Sequence, residues 1–299
     1  MMAMFRGRAP GAAGSERRGA AARGAAALAL GLLIGLGGCS YLGLGDETAT
    51  PIAEERPVEE LFGIAQNSLR EGRYQTAILQ FEEVERLYPI SSYAKRSILG
   101  ASVAAYRAGE YDKSALSAGR YLEFYPSDEQ APYAQYLIAM SSYDQITDVG
   151  RDQARTKAAL QALRELINRY PNSEYTREAQ LKLDLTLDHL AGKEMSIGRF
   201  YLKRGKYIGA INRFRTVVER YQTTTHVPEA LHRLVEAYLA LGVESEAQTA
   251  AAVLGHNFPG SDWYQDSYAL LTGRDLRPEV DRGSWMNRAW SQLVEGEWL

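Results

Sequence analysis

The stretch LFGIAQNSLREGRYQTAILQFEEVERLYP, residues 61–89, decides the fold. Its apolar and small residues recur every three or four positions on both sides of Gly72, which predicts two short amphipathic helices. Gly72 stands where the first helix must end and the chain must reverse, and Pro89 stands where the second helix can no longer continue. Because a hairpin of two such helices cannot bury its apolar face alone, it needs copies of itself on either side.

Copies of this hairpin recur along the chain. Residues 205–214 repeat the glycine, tyrosine, alanine, isoleucine and phenylalanine of residues 72–81, and Gly242 follows 37 residues after Gly205. This order of residues, closed by a proline, is the tetratricopeptide pattern. It predicts an all-α fold, a tetratricopeptide-repeat solenoid of about five helical hairpins. A shift of 37 residues also superposes Gly72 on Gly109, Tyr74 on Tyr111 and Pro89 on Pro126.

The third hairpin has the least regular repeat signature. A polar break, DQITDVGRDQ at residues 144–153, predicts a connection longer than the standard turn. Residues 173–204 contain no proline and keep a helical phase, which predicts one long helix leading into the fourth hairpin. A fifth hairpin is expected over residues 228–258, followed by a short helix near residues 263–271. The fourth hairpin departs from the pattern at Gln222, where a closing proline is expected.

The first 38 residues have the layout of an export signal. Five arginines precede an apolar run from Ala25 to Leu36, which is too short to span a bilayer because a spanning helix needs about 20 residues. The sequence Leu36-Gly37-Gly38-Cys39 then resembles the bacterial lipobox. That resemblance implies cleavage before Cys39 and acylation of Cys39, which would give a firmly held lipid anchor. Ser40, in place of Asp, favours the outer membrane by analogy with sorting rules in Gram-negative bacteria.

The expected organisation after cleavage has three parts. Residues 39–57 are rich in Gly, Thr and Pro and predict a flexible lipidated tether. Residues 58–272 form the solenoid. Residues 273–299 form a C-terminal tail with a short amphipathic helix that docks on another surface. The apolar positions of that helix are Trp285, Trp290, Leu293 and Trp298.

Composition and motifs argue against several classes of function. With 34 basic and 37 acidic residues, no large field points to nucleic acid or to anionic lipid. The single cysteine excludes an intramolecular disulfide. The four histidines are scattered, with no two at metal-ligand spacing, and no nucleophile or phosphate-loop motif is complete. We therefore predict a binding protein that has no catalytic residues, no metal and no cofactor.

A solenoid instead provides a groove lined mainly by the first helix of each hairpin. Apolar residues interleaved with two arginines suit an extended, aromatic-rich peptide that ends in a carboxylate. Leu99 and Val103 could equally be residues that only pack between repeats. The repeat phase predicts that the groove shows Phe62, Gln66, Leu69, Arg70, Leu99, Val103, Tyr106 and Arg107.

Three tracts carry a resemblance to a known family. Residues 88–126 (YPISSYAKRSILGASVAAYRAGEYDKSALSAGRYLEFYP), the break DVGRDQ at 148–153 and residues 167–183 (INRYPNSEYTREAQLKL) are similar to the BamD family. These proteins are the tetratricopeptide lipoproteins of the outer-membrane β-barrel assembly machine. The likeness covers residues 58–271.

The resemblance implies a lipid-anchored scaffold at the periplasmic face of the cell outer membrane. Such a scaffold would receive the C-terminal signals of unfolded outer-membrane proteins in its N-terminal half. It would dock on the POTRA domains of a BamA-like barrel subunit through the other half, where Arg213 matches a basic residue of the family. Other lipoproteins of the assembly machine are also implied as partners. An alternative is a tetratricopeptide coordinator of cell-envelope or peptidoglycan machinery, and a plain solvated role for Arg213 also remains open.

Overall fold

The computed structural model describes residues 56–286 and residue 289. These residues contain helices and no strand, which confirms the predicted all-α repeat fold, and none of these helices is long and apolar enough to cross a membrane. The predicted signal peptide, Cys39 and most of the tether lie outside the described residues, as do Trp290, Leu293 and Trp298. The complete helices are α1 Val58–Arg70, α2 Tyr74–Leu87, α3 Ser92–Arg107, α4 Tyr111–Phe124, α5 Ala131–Tyr143, α6 Ala154–Arg169, α7 Thr176–Lys203, α8 Tyr207–Arg220, α9 Val227–Leu241, α10 Glu244–Asn257 and α11 Asp262–Thr272.

Four of the five hairpin turns share one construction. In the first, Gly72 donates its backbone N–H to the carbonyl of Leu69 and Arg73 donates to that of Ser68, at 3.3 and 2.9 Å. This pair of bonds satisfies the last carbonyls of the helix and requires a left-handed residue, which glycine adopts without strain. The repeated glycine therefore fixes where the first helix ends in these four hairpins. The four turn glycines, all with φ between 69 and 76°, are Gly72, Gly109, Gly205 and Gly242.

The connections between hairpins are also repeated. Each second helix ends at an aromatic residue with φ near −130°, whose carbonyl accepts a backbone N–H from the residue three positions later. Proline favours the second position of such a turn. The fourth hairpin makes the same turn with Gln222 at that position, and Tyr221 keeps φ −129° and ψ 43°. The absence of proline therefore leaves the turn unchanged. The five aromatic residues are Tyr88, Tyr125, Tyr170, Tyr221 and Phe258.

The third hairpin lacks a left-handed glycine and has a connection of a different kind. Asp148 and Asp152 accept backbone N–H groups from Gly150 and Ala154, at 2.6 and 3.2 Å, so side chains organise this loop. Lys193 of α7 donates to the carbonyl of Gly150 at 2.8 Å and holds the loop against the long helix. Helix α7 itself packs on both α6 and α8, so it joins the third hairpin to the fourth.

Small residues at the helix crossings let large ones fill the core. A Cβ on Gly198 would lie 2.4 Å from Cε1 of Phe214, so only glycine permits this close approach of α7 to α8. In the first hairpin Ala65 occupies the position of Gly198, and Phe81 occupies that of Phe214. Both phenylalanines are buried, with 1% or less of their surface exposed. The two ends therefore bury a phenylalanine at the same repeat position, but the glycine that it approaches is Gly198 of α7 for Phe214 and Gly100 of α3 for Phe81.

Residues 274–286, called the tail strap below, fold back on the last two hairpins. Gln248 of α10 donates to the carbonyl of Arg277 at 2.8 Å, and Ser284 donates to Glu246 at 2.6 Å. Trp285 donates to the hydroxyl of Tyr238 in α9 at 2.9 Å, and the guanidinium of Arg215 in α8 lies 4.4 Å from its ring centroid. The strap thus contacts helices of two hairpins.

Candidate peptide groove and docking surface

A groove of about 560 Å³ opens on the side formed by α1, α3 and the start of α5. These are the first helices of the first three hairpins, as the repeat phase predicts. Its walls combine aromatic and aliphatic side chains with a few polar ones, the composition of a site for a peptide with apolar side chains. The lining residues are Phe62, Gln66, Leu69, Phe81, Ser92, Lys95, Arg96, Leu99, Gly100, Val103, Tyr121, Asp128, Glu129, Gln130 and Tyr133.

The structure brings together five of the eight residues that the sequence assigns to the groove. Gln66, Leu69 and Phe62 come from α1, and the ring of Phe62 is buried against Phe81 at a centroid distance of 5.7 Å. Leu99 and Val103 come from α3, where they line the groove and also pack against the core between the second and third hairpins. They therefore combine the two roles that the sequence left open.

The other three residues lie outside the groove lining. Arg70 and Arg107 are the exposed last residues of α1 and α3. Tyr106 donates its hydroxyl to Asp144 and packs edge-on against Tyr111, with ring centroids 5.6 Å apart. Burial and the nearby Asp144 carboxylate raise the pKa of the Tyr106 phenol above its usual range. Tyr106 thus joins the second hairpin to the connection of the third.

The groove takes its cationic groups from Lys95 and Arg96, which the sequence reasoning missed. The guanidinium of Arg96 lies 4.5 Å from the ring centroid of Phe62 and 5.5 Å from that of Tyr93. Within the described residues Arg96 forms no ion pair, so its charge is available to an acidic ligand. A signal was present, because Lys95 and Arg96 precede Leu99 by one helical turn and so share its face.

Lys95, in contrast, is already paired. Its ammonium group lies 2.5 Å from Asp128, which also accepts a hydrogen bond from the Tyr121 hydroxyl at 2.5 Å and from the backbone N–H of Gln130 at 2.9 Å. The bonds from Lys95 and Tyr121 lower the pKa of Asp128 to about 2. Burial, with the Asp128 carboxylate beside it, raises the pKa of the Tyr121 phenol above its usual range. This network fixes the edge of the groove between the second and third hairpins.

The predicted docking residue Arg213 lies on α8 in the other half. Its neighbours Ile211 and Phe214 are buried, while Arg213 is 42% exposed and pairs with Glu194 of α7 at 3.1 Å. Glu194 in turn lines a cleft of about 450 Å³ between α7 and the third-hairpin connection. Arg213 and Glu194 thus form a partly exposed ion pair that joins α8 to α7.

Two of the four histidines have polar neighbours from other parts of the fold. His226 precedes α9 and lies 3.5 Å from Asp188, and His232 of α9 shares a hydrogen bond of 2.8 Å with Ser267 of α11. Among the described residues, no group of three or more His, Cys, Asp or Glu side chains is placed to hold a metal ion.

A family model and several known proteins match the sequence of this chain. A sequence model of a family described as YfiO, an outer membrane lipoprotein, matches residues 54–254. The outer membrane protein assembly factor BamD of Caulobacter vibrioides is 50% identical over 232 residues, which cover 78% of this chain and 76% of the relative. The protein of that name in Rickettsia prowazekii is 37% identical over 246 residues, covering 82% and 95%.

Proteins of lower sequence identity also match this chain. The BamD protein of Neisseria meningitidis serogroup A is 33% identical over 244 residues, covering 78% of this chain and 91% of the relative. Among solved structures, the pilus biogenesis factor PilW covers 70% of this chain and 96% of its own at 15% identity. Its TM-score of 0.30 is too low to carry an argument.

Proposed function

The chain belongs to the YfiO family of outer membrane lipoproteins, and from this premise we propose that it is an outer membrane protein assembly factor. The proposal extends to how it works: it acts by binding, as a scaffold with two separate surfaces, and not as an enzyme. The observation that carries it is the groove of the first three hairpins, where Phe62 and Phe81 lie beside Arg96, which forms no ion pair with a described residue. Relatives named as assembly factors support the role.

The groove receives the C-terminal signal segment of an unfolded barrel protein. Such a segment is extended, alternates large apolar side chains and ends in a carboxylate. Apolar side chains would fill the space between Phe62, Leu69 and Leu99, and the carboxylate would meet Arg96. Arg70 and Arg107, at the last turns of α1 and α3, would act at longer range on the same charge.

Calorimetry with a synthetic peptide tests the groove. We expect Arg96→Glu to weaken the binding of an aromatic-rich peptide with a free C-terminal carboxylate by about ten-fold or more, because a charge is reversed and not only removed. Arg70→Glu combined with Arg107→Glu should weaken it less. Arg86→Glu, on the solvent side of α2, is the matched control and should leave the affinity unchanged. Full affinity in Arg96→Glu would exclude this groove as the carboxylate site.

The second surface docks on the POTRA domains of a BamA-like barrel subunit through Arg213. The partly exposed Arg213–Glu194 pair and the adjoining cleft support this assignment, because both can accept a side chain from outside. Arg213→Glu should weaken POTRA binding and leave peptide binding within a few-fold, since solenoid repeats contact mainly their neighbours. Loss of POTRA binding in Arg96→Glu but not in Arg213→Glu would reverse the two assignments.

The scaffold is held at the periplasmic face of the outer membrane by acylated Cys39, with other lipoproteins of the assembly machine as neighbours. The lipobox-like sequence before Cys39 supports this part of the proposal. Mass spectrometry of the mature N-terminus should find an acylated Cys39 in the wild type. Cys39→Ser should abolish acylation and leave the helical domain folded. An unacylated wild-type protein that begins before Cys39 would contradict the anchor.

A further inference from the structure

The first two hairpins expose large apolar side chains on their outer face, meaning the solvent side of their second helices α2 and α4. Leu79 is 64% exposed, Leu116 is 67% exposed and Phe124 is 60% exposed. The two helices are neighbours, because Gln75 of α2 bonds Glu110 and Glu85 of α2 pairs with Arg120 of α4. The three side chains therefore lie on two helices that are joined by side-chain bonds, and large exposed apolar groups on one side of a protein mark interaction sites.

The repeat itself does not require apolar residues at these positions. Leu79 and Leu116 both stand seven residues after the turn glycine, and the same position holds Asn212 in the fourth hairpin and Thr249 in the fifth. Fifteen residues after the glycine, Phe124 is replaced by Arg220 and Asn257. Since hairpins with polar residues at these places fold on the same plan, packing within the solenoid does not explain the exposed leucines and phenylalanine.

A polypeptide segment already covers the corresponding position at the other end of the solenoid. Thr249 is fully buried because the tail strap crosses it: Asp281 donates its backbone N–H to the Thr249 hydroxyl at 3.0 Å. Further along the strap, Ser284 bonds Glu246 of α10, and the ring of Trp285 lies against Arg215 of α8. The outer face between neighbouring second helices can thus accept a chain segment that places apolar side chains against it.

Charge beside the apolar residues specifies what kind of segment would fit. Glu82 of α2 and exposed Glu123 of α4 form no ion pair or hydrogen bond with any residue that the structure describes. Three other carboxylates on this side already have partners, since Glu85 pairs with Arg120, Glu83 pairs with Arg86, and Glu110 bonds Gln75 and pairs with Lys113. Two free carboxylates at the edge of an apolar surface favour a partner with basic side chains and disfavour an anionic lipid surface.

We propose that the outer face of the first two hairpins binds an amphipathic helix of a partner protein. Its apolar stripe lies on Leu79, Leu116 and Phe124, and its basic residues lie beside Glu82 and Glu123. A helix fits because the residues on one face of a partner helix are spaced along its axis in the same way as the exposed residues along α2 and α4. This surface is separate from the groove of α1, α3 and α5, so the inference does not depend on the proposed peptide site.

Photocrosslinking of the full-length protein in its own cells tests the proposal. Leu116 is replaced by p-benzoylphenylalanine, and Asn212, the exposed equivalent in the fourth hairpin, carries the same probe as the matched control. We expect the Leu116 probe to crosslink to a protein segment that mass spectrometry maps to an amphipathic helix bearing Lys or Arg. Glu82→Lys with Glu123→Lys should lower that yield by about five-fold or more. The Asn212 probe should not give the same product.

Each alternative result overturns the proposal. Crosslinks to lipid alone would make the surface a membrane contact, and crosslinks to a second copy of the chain would make it a self-association surface. A Leu116 probe without any product would show an unoccupied face. A crosslinking yield unchanged by the double charge reversal would show that the partner places no basic residues beside Glu82 and Glu123. All positions changed are exposed or half-buried, so we expect each variant to fold. An unchanged melting temperature checks this.

Discussion

The two ends of the solenoid share a frame and differ on their outer faces. The first, second, fourth and fifth hairpins turn through a left-handed glycine, and the first and fourth pack a buried phenylalanine at the same repeat position. Outside that frame, the repeat positions of Leu79, Leu116 and Phe124 hold polar residues in the last two hairpins, and the tail strap crosses one of them, Thr249. The comparison teaches that the repeat dictates the turns and the buried phenylalanine, and that it leaves the outer positions of the second helices free to differ.

The largest expected effect concerns the shared core. Phe81→Ala and Phe214→Ala should each lower the free energy of unfolding by about 3–5 kcal/mol, because both remove a buried ring from the same repeat position. Urea unfolding followed by circular dichroism measures the loss, and hydrogen exchange should locate each loss mainly in its own half. A cost that differs several-fold between the two variants would show that this repeat position does not contribute equally to the two halves.

Removing the aromatic ring that anchors the tail strap should have an intermediate effect. Trp285→Ala should cost about 1–3 kcal/mol, because it removes the stacking on Arg215, the bond to Tyr238 and part of the core contact. Leu116→Ser, on the uncovered outer face, should change stability by less than about 0.5 kcal/mol. Thermal unfolding of both variants makes the comparison. Equal losses would mean that the first two hairpins use Leu116 for their own packing.

Acid should affect the two ends in different pH ranges. Burial lowers the pKa of His232, and the nearby Glu236 carboxylate partly opposes this shift. As the pH drops below about 6.5, His232 therefore takes up a proton in the unfolded chain before it does so in the folded protein, and the stability of the last hairpin falls. The pKa of Asp128 is lowered from 3.8 to about 2. The ionised Asp128 carboxylate therefore stabilises the folded protein above pH 3.8, and this stabilisation is lost as the pH falls from 3.8 to 2. That contribution is on the order of 1–2 kcal/mol.

Hydrogen exchange from pH 7 to about pH 2 separates these two effects. Amides of α9 and α11 should lose protection before those of α3 and α4. His232→Gln should flatten the first step, and Asp128→Asn should remove the second. Loss of protection in the reverse order would contradict the assignment of these two groups.

The smallest expected effect concerns the turn where the two ends differ by one residue. Gln222→Pro should stabilise the protein by about 0.4–1 kcal/mol, because the turn after Tyr221 already has the backbone of the proline-containing turns and proline restricts the unfolded chain. Pro89→Gln is the reciprocal variant and should destabilise by a similar amount. Thermal unfolding resolves both changes. A destabilised Gln222→Pro would show that the fourth turn is not equivalent to the first.

The sequence predicted the frame because its signals are local. A glycine followed by an aromatic residue and a helical period specifies a hairpin within about 30 residues, so the hairpin positions and the long α7 could be predicted without knowing how hairpins meet. The same reasoning placed Phe62, Gln66 and Leu69 on the face that lines the groove. It did not place Arg96 there, because its distance from the Phe62 ring depends on how α3 packs against α1.

The sequence alone therefore determined the repeat class, the turns and the family resemblance, including the lipobox-like site at Cys39. Tertiary structure decided which cation faces the groove and that Lys95 is neutralised by Asp128. It also decided that Trp285 folds onto Arg215 and Tyr238. The physical reason is distance along the chain: a left-handed turn or a helix end is fixed by a few adjacent residues, whereas these contacts join side chains more than 30 residues apart and exist only once the hairpins have stacked.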